Sequence, residues 1–292
     1  MVTFYRRLPK FYYVAPNAIE EVLSLLSQYK DRVKVIAGGT DLVPKLKRRE
    51  IKAPEYIIDL KGIPDLDSIR YSEGSGLRLG ALVTIHAVET SPVIGEKFSV
   101  LFQAAQSMAS AQVRNRGTIA GNICNAVPSA DTAPALLVLD AELKLISLRG
   151  ERLVKIEDFF IGPNKTVLTG EEILQEIRVP ELLGGKGVYL KLAPRHSMDL
   201  AVVGVAVAVV LENGVCREVR IALGAVNPIP MRARKAESII KGQRMKAEVV
   251  ERAAQIAAEE CRPISDHRAS AEYRIEMVRV LTKRAINQAL FS

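Results

Sequence analysis

Two short turns, Ala37-Gly38-Gly39-Thr40-Asp41-Leu42 and Thr118-Ile119-Ala120-Gly121-Asn122, constrain this chain more than any other feature. Each adjoins apolar segments, and each offers unhindered backbone N–H groups with a hydroxyl beside them. Glycine has no Cβ and tolerates positive φ, so such a turn lets an anion approach the main chain. Neither turn is a G-x-G-x-x-G fingerprint, and no Gly-Lys-Ser/Thr follows as in a P-loop. Taken alone, the first reads as a tight connection between strand and helix. Two in one chain, about eighty residues apart, predict a diphosphate gripped from two sides.

The segments around the turns alternate in type. Pro16 to Tyr29 has helical spacing of Ile19, Val22, Leu23 and Leu26, with Asn17 and Glu20 resembling a capping box. Val33 to Ala37 and Tyr56 to Leu60 read as buried strands flanking a short helix over Asp41 to Arg49. A hairpin is predicted at Ser68 to Tyr71 and Gly76 to Ala81, then helix from a Thr84 cap and over Phe98 to Ala111. Gln112 to Asn122 is a long polar stretch of the kind that carries function inside a compact domain. Ala141 to Leu148 and Ile173 to Val179 alternate as strands. After a glycine-rich linker at 181–187 come strands at Val188 to Leu192, Ala201 to Leu211 and Val215 to Leu223. The last two are joined by Glu212-Asn213-Gly214, a hairpin signal. Three helices close the pattern: Met231 to Lys241, Lys246 to Cys261 and Ala271 to Phe291. The order is α/β, then α+β, then strands followed by helices.

Composition excludes several functions. Hydrophobic residues make up 48% and charged residues 25% of 292, ordinary for a globular protein, and no apolar run is long enough for a membrane span. Met1 to Leu8 lacks an apolar signal core, so a cytoplasmic location is expected. The formal charge of +8 invites a nucleic-acid reading, but the one dense basic stretch, Lys45-Leu46-Lys47-Arg48-Arg49, has no interleaved aromatic and reads as a solvated helix face. Cys124, Cys216 and Cys261 match no zinc or iron–sulfur spacing, and His86, His196 and His267 do not cluster. No protein-held metal is expected.

Single residues have bland readings too. Asp131 suits a helix N-cap, worth about 1 kcal/mol against Ala. Lys191 in an apolar strand suits a solvent-facing lysine, Cys124 a small core residue. Arg114 and Arg116 could steady an anion, or be ordinary exposed arginines. No Ser-His-Asp set or carboxylate pair exists, and no catalytic residue is expected. An enzyme built this way leaves its chemistry to a bound cofactor.

Ala37 to Leu42 and Thr118 to Asn122 resemble the two FAD-diphosphate motifs of the flavoprotein (medium) subunits of the molybdenum hydroxylases, a family that includes xanthine, carbon monoxide and nicotinate dehydrogenases and aldehyde oxidoreductases. The likeness extends over nearly the whole chain, to Asn125 to Pro134, Leu223 to Val226 and Ser265 to Arg274. It implies an α+β class: a PCMH-type FAD-binding fold of two α/β subdomains (1–61 and 62–180) followed by a C-terminal antiparallel sheet with a three-helix bundle (187–292) that closes over the flavin. It further implies that Ala37, Gly38, Gly39, Thr40 and Asp41, with Thr118, Ile119, Ala120, Gly121 and Asn122, contact the diphosphate, and that Ile36 belongs to the cofactor site. Asp131 would reach the flavin's polar chain, Leu174 would pack on the cofactor, and Lys191 would approach it from the C-terminal domain. Gly39→Val or Gly121→Val is then expected to abolish flavin retention with the fold largely intact.

Ala120 stands where many members have Gly, and the cysteine cluster of the 4-hydroxybenzoyl-CoA reductase branch is absent. The implied function is electron transfer. A large molybdopterin subunit oxidises the substrate, a small iron–sulfur subunit relays electrons, and this chain's FAD passes them to NAD, a quinone or another acceptor, in a dimer of heterotrimers. The alternatives are a free-standing flavin oxidase or reductase of the same fold, with His86 or His196 as covalent attachment points, and more remotely a basic nucleic-acid-binding or adaptor protein.

Overall fold

The structure, a computed structural model, describes residues 7–182, 184–195 and 198–291. Its first unit runs β1 (Tyr12–Val14), α1 (Ile19–Tyr29), β2 (Val33–Ile36), α2 (Leu42–Arg48) and β3 (Tyr56–Asp59). The three strands form a parallel sheet in the order β1-β3-β2. Helix α1 buries Val22, Leu23 and Leu26, the stripe its spacing demands. The expected cap at Asn17 does not form. Ala18 holds the cap position without a side-chain bond, and Asn17 Oδ1 lies 2.9 Å from where a Cβ on Gly62 would sit.

The second unit begins with the hairpin β4 (Ile69–Ser72) and β5 (Gly76–Gly80). The helices α3 (Ile85–Thr90), α4 (Pro92–Lys97), α5 (Ser99–Gln106), α6 (Ala111–Arg114), α7 (Ile119–Asn125) and α8 (Thr132–Val138) follow before β6 (Glu142–Ser147), β7 (Gly150–Lys155), β8 (Phe160–Gly162), β9 (Lys165–Thr166) and β10 (Ile173–Val179). Its antiparallel sheet is ordered β4-β5-β10-β6-β7, so the helices sit between two strands that flank β10. The helical run expected to Ala111 ends at Gln106, the chain turns through Ala109 at φ 45°, and helix restarts after Ser110. Much of the stretch read as a polar insertion, Gln112 to Asn122, is therefore short helix.

The third unit contains β11 (Gly185–Leu192), β12 (Val203–Glu212), β13 (Val215–Gly224), β14 (Met231–Arg232), α9 (Arg234–Ile240), α10 (Ala247–Glu259) and α11 (Ala271–Phe291). The strands form an antiparallel sheet in that order. Met231 and Arg232, expected to open a helix, instead pair with Leu223 and Ala222. The β12–β13 turn puts Asn213 at φ 52° and Gly214 at φ 77°, the double positive φ that a two-residue hairpin turn requires.

Strand β12 shows how this unit is positioned. Val203, Val205, Val207 and Val209 belong to the core shared with α9 to α11, while Ala206 and Ala208 join the core of the first two units. A period of two thus sorts large and small residues onto opposite faces, and the small face admits α5 and α8. Helix α5 also covers the sheet's edge. Ser99 Oγ donates to the Gly187 carbonyl (2.8 Å), Gln103 Oε1 accepts from Tyr189 N (2.8 Å), and the Ser107 carbonyl accepts from Lys191 Nζ (3.1 Å). Four residues along a helix rise about 6 Å and two along a strand about 6.6 Å, so the two rows stay in step. The class is α+β: a unit on a parallel three-stranded sheet, a unit on an antiparallel five-stranded sheet, and an antiparallel four-stranded sheet followed by helices.

Candidate functional site

The chain leaves β2 at Ile36 and turns at Gly39 with φ +75° before α2 begins at Leu42. The backbone amides of Gly38, Gly39, Thr40 and Asp41 donate to no acceptor among the described residues. Buried or half-buried amides want partners, so these four are available to a ligand. The second motif is different in kind. It is the start of α7, capped by Thr118, whose Oγ1 accepts from Gly121 N at 3.0 Å. Ile119 N donates to the Val83 carbonyl and Asn122 N to that of Thr118, which leaves the amides of Thr118 and Ala120 without a partner among the described residues.

The first turn touches Arg116 and Gly117, which lead directly into the second motif, backbone to backbone. A Cβ on Gly38 would lie 2.0 Å from the Arg116 carbonyl oxygen and 2.9 Å from Gly117 Cα, and one on Gly117 would lie 3.3 Å from Thr40 Oγ1. Only glycine allows this approach. Lys45 of α2 strengthens it by donating to Asn125 Oδ1 at the end of α7 and to Asn164 Oδ1. That lysine, read as part of a solvated face, ties the helices that follow the two turns. The expected consequences of valine at Gly39 and Gly121 change as well. Gly39 is strained for any side chain by its φ, and a Cβ on Gly121 would sit 2.8 Å from Thr118 Oγ1. Both substitutions therefore meet local strain, from the backbone angle at Gly39 and from the capping hydroxyl at Gly121.

Asp131 occupies the residue before α8 but caps nothing. Its carboxylate, 6% exposed, instead accepts from Tyr189 Oη and from Lys191 Nζ, both at 2.9 Å. Burial raises the Asp131 carboxyl above its usual range, against the opposing pull of Lys191 and Tyr189, and burial beside that carboxylate raises the Tyr189 phenol. Gly204 makes room, since a Cβ there would lie 2.8 Å from Tyr189 Oη. Thr132 Oγ1 donates to Asn122 Oδ1 at 2.6 Å, which joins this ion pair to the second motif. Lys191, expected either in solvent or beside a ligand, is thus buried in a pair. Tyr189 escaped the sequence reading because nothing local separates its hydroxyl from that of a core tyrosine.

Other candidates fall elsewhere. Ile36 fills the space over Gly39, with its Cδ1 3.0 Å from a Cβ placed there. Leu174, 4% exposed, lies in the core at a bulge in β10, the strand against which α7 packs. Arg114 pairs with Glu89 at 2.7 Å and donates to the Met108 carbonyl, while the side chain of Arg116 is exposed. Burial pushes the Cys124 thiol up to about 12, so it is no nucleophile. His86 is exposed on α3 and pairs with Glu89, and His196 lies outside the described residues. Among the described residues no helix is long and apolar enough to cross a membrane.

The donor set suits an anionic nucleotide: six amides without a partner among the described residues, where the backbone approach at Gly38 leaves no room for a Cβ. The comparisons agree. Residues 9–182 match the family described as FAD binding domain in molybdopterin dehydrogenase, and residues 188–289 match the CO dehydrogenase flavoprotein C-terminal domain. The chain is 35% identical over 280 residues to the glyceraldehyde dehydrogenase medium chain of Sulfolobus acidocaldarius, covering 96% of this chain and 98% of that one. It is also 35% identical to the carbon monoxide dehydrogenase medium chain of Hydrogenophaga pseudoflava, over 96% and 97% of the two. A solved carbon monoxide dehydrogenase from that organism, lacking the Mo-pyranopterin moiety of its molybdenum cofactor, superposes with a TM-score of 0.93 at 36% identity, over 97% of this chain and 98% of that one. With the fold, the glycine cradle and both family matches in agreement, this chain belongs to the FAD-binding medium subunits of the molybdenum hydroxylases, a family of oxidoreductases.

Proposed function

We propose that this chain takes electrons from the iron–sulfur clusters of a small partner subunit and passes them to NAD, a quinone or another acceptor, within a complex whose large subunit carries molybdopterin. A dimer of heterotrimers acting in the cytoplasm is the assembly this implies; three free thiols suit a reducing compartment. Bound FAD supplies the one- and two-electron chemistry. The observation that carries the reading is the close approach of Gly38 to the Arg116 and Gly117 backbone, which brings the first turn against the residues that lead into the second motif.

In this reading the main chain of Ala37 to Asp41 and of Thr118 to Asn122 holds the diphosphate, with Ile36 lining the cofactor site. Asp131 orients the flavin's polar chain, Leu174 packs on the cofactor, and Lys191 brings a cation to it from β11. The protein is organised as residues 1–61 and 62–180 around the cofactor, with 187–292 closing over it. No residue here needs to donate or abstract a proton from substrate. The chain's tasks are to bind the cofactor, exclude water from it and set its electrostatics.

The purified chain is expected to be yellow and to release FAD into the supernatant on denaturation, identified by chromatography against authentic FAD. A colourless chain that takes up no added FAD contradicts the proposal. Flavin that stays attached after denaturation points instead to a free-standing oxidase with a covalent link.

A further inference from the structure

Tyr13, Asp59 and Lys61 form a polar cluster outside the residues already assigned to the cofactor. Asp59, 2% exposed, ends β3 directly beside Ile36 of β2, its register partner. Its Oδ1 accepts from Lys61 N at 3.0 Å, its Oδ2 pairs with Lys61 Nζ at 2.6 Å, and the Tyr13 hydroxyl donates to the same oxygen. A carboxylate so buried is kept only when it is paired and hydrogen-bonded, and here every partner comes from β1 or from the turn after β3. Burial alone would raise this carboxyl; Lys61 and Tyr13 outweigh it and hold Asp59 below its usual value.

Lys61 does more than neutralise Asp59. Its Nζ also donates to the carbonyl of Ala37 at 3.3 Å. That carbonyl and the Gly38 N–H belong to one peptide unit, and the described chain contains no cis peptide bond. In a trans peptide the C=O and N–H point in opposite directions. Fixing the carbonyl toward Lys61 therefore turns the Gly38 N–H away from it, and that amide donates to nothing among the described residues.

We propose that Lys61, held by Asp59 and Tyr13, is a positioning residue that fixes the Ala37–Gly38 peptide plane and so presents the Gly38 amide to the cofactor's diphosphate. This rests on the FAD reading. Lys61 acts through the peptide, so the cluster should behave as a unit. A lysine serving only as a nearby charge would not depend on Tyr13.

The test is titration of the flavin-depleted full chain with FAD, followed by flavin fluorescence, alongside the amide resonance of Gly38 on addition of ADP. Lys61→Met is expected to weaken FAD binding about tenfold, the worth of one charge-assisted hydrogen bond. It should also remove the ADP-induced shift of Gly38 that the wild-type chain shows. Lys61→Arg should restore most of both. Tyr13→Phe, at an exposed position, retains the Lys61 charge and should weaken binding about threefold; it carries the test if Lys61→Met fails to fold. FAD binding by folded Lys61→Met at wild-type strength, or by Tyr13→Phe with no loss at all, overturns the inference and leaves the FAD reading standing. A wild-type chain that binds no FAD overturns both.

Discussion

Gly38→Val is expected to give a chain that purifies without flavin and melts well below the wild type. The new Cβ would fall 2.0 Å from the Arg116 carbonyl oxygen, 2.8 Å from its carbon and 2.9 Å from Gly117 Cα. All three are backbone atoms, so no flexible side chain can swing aside. Overpacking of this kind costs about 3 kcal/mol when neighbours can relax, and here the relaxation available is separation of the two motifs. For a domain of this size that corresponds to a fall in Tm of roughly 5–10 °C. Gly74→Ala is the control. Gly74 has φ +77° but open space around it, so it carries backbone strain without displacing a neighbour, and its flavin content should match wild type. Flavin absorbance per chain and thermal melting report the outcome. Full flavin content in Gly38→Val with an unchanged Tm would show that contact between the motifs is dispensable.

Lys191→Met is expected to destabilise the chain by about 3–5 kcal/mol near neutral pH, because it strands a buried carboxylate. The pH dependence identifies the cause. Burial already raises the Asp131 carboxyl, and Lys191 is the charge that opposes the rise. Without it the folded-state value climbs further above the unfolded value of about 3.9. A carboxyl raised on folding contributes its stability below the unfolded value and loses it as pH rises through the folded value. Lys191→Met should therefore be most stable near pH 4 to 5 and weaken steadily toward pH 8. The double variant Asp131→Asn/Lys191→Met removes the buried charge and should recover much of the loss with a flat profile. Thermal melts across pH measure this. A Lys191→Met profile parallel to that of wild type would mean that Asp131 finds another partner.

The sequence disclosed what depends on local spacing. The amphipathic stripe of α1, the Asn213-Gly214 turn and the apolar strand β12 all follow from one stretch of chain, and the structure contains each. The family motifs pointed to the α+β architecture and to FAD. What stayed hidden depends on contacts between distant residues. Asp131 looked like a helix cap because Asp before Thr-Ala-Pro usually is one, and its true partners lie 58 and 60 residues away. Lys45 looked solvated for want of any sign of Asn125, 80 residues on. Gly38 could be recognised as permissive, but not as the point where Arg116 presses on the chain. Thr118 to Asn122 looked like a glycine bend, yet a threonine before apolar residues is also a helix start, and that is how it folds.

The central claim is that the main chain at both motifs grips one diphosphate, and a crystal structure of the full chain with FAD bound tests it most directly. Diphosphate oxygens within about 3.1 Å of amides from both Gly38 to Asp41 and Thr118 to Asn122 are predicted. A diphosphate held by only one of the two motifs, or bound away from both, would contradict the account.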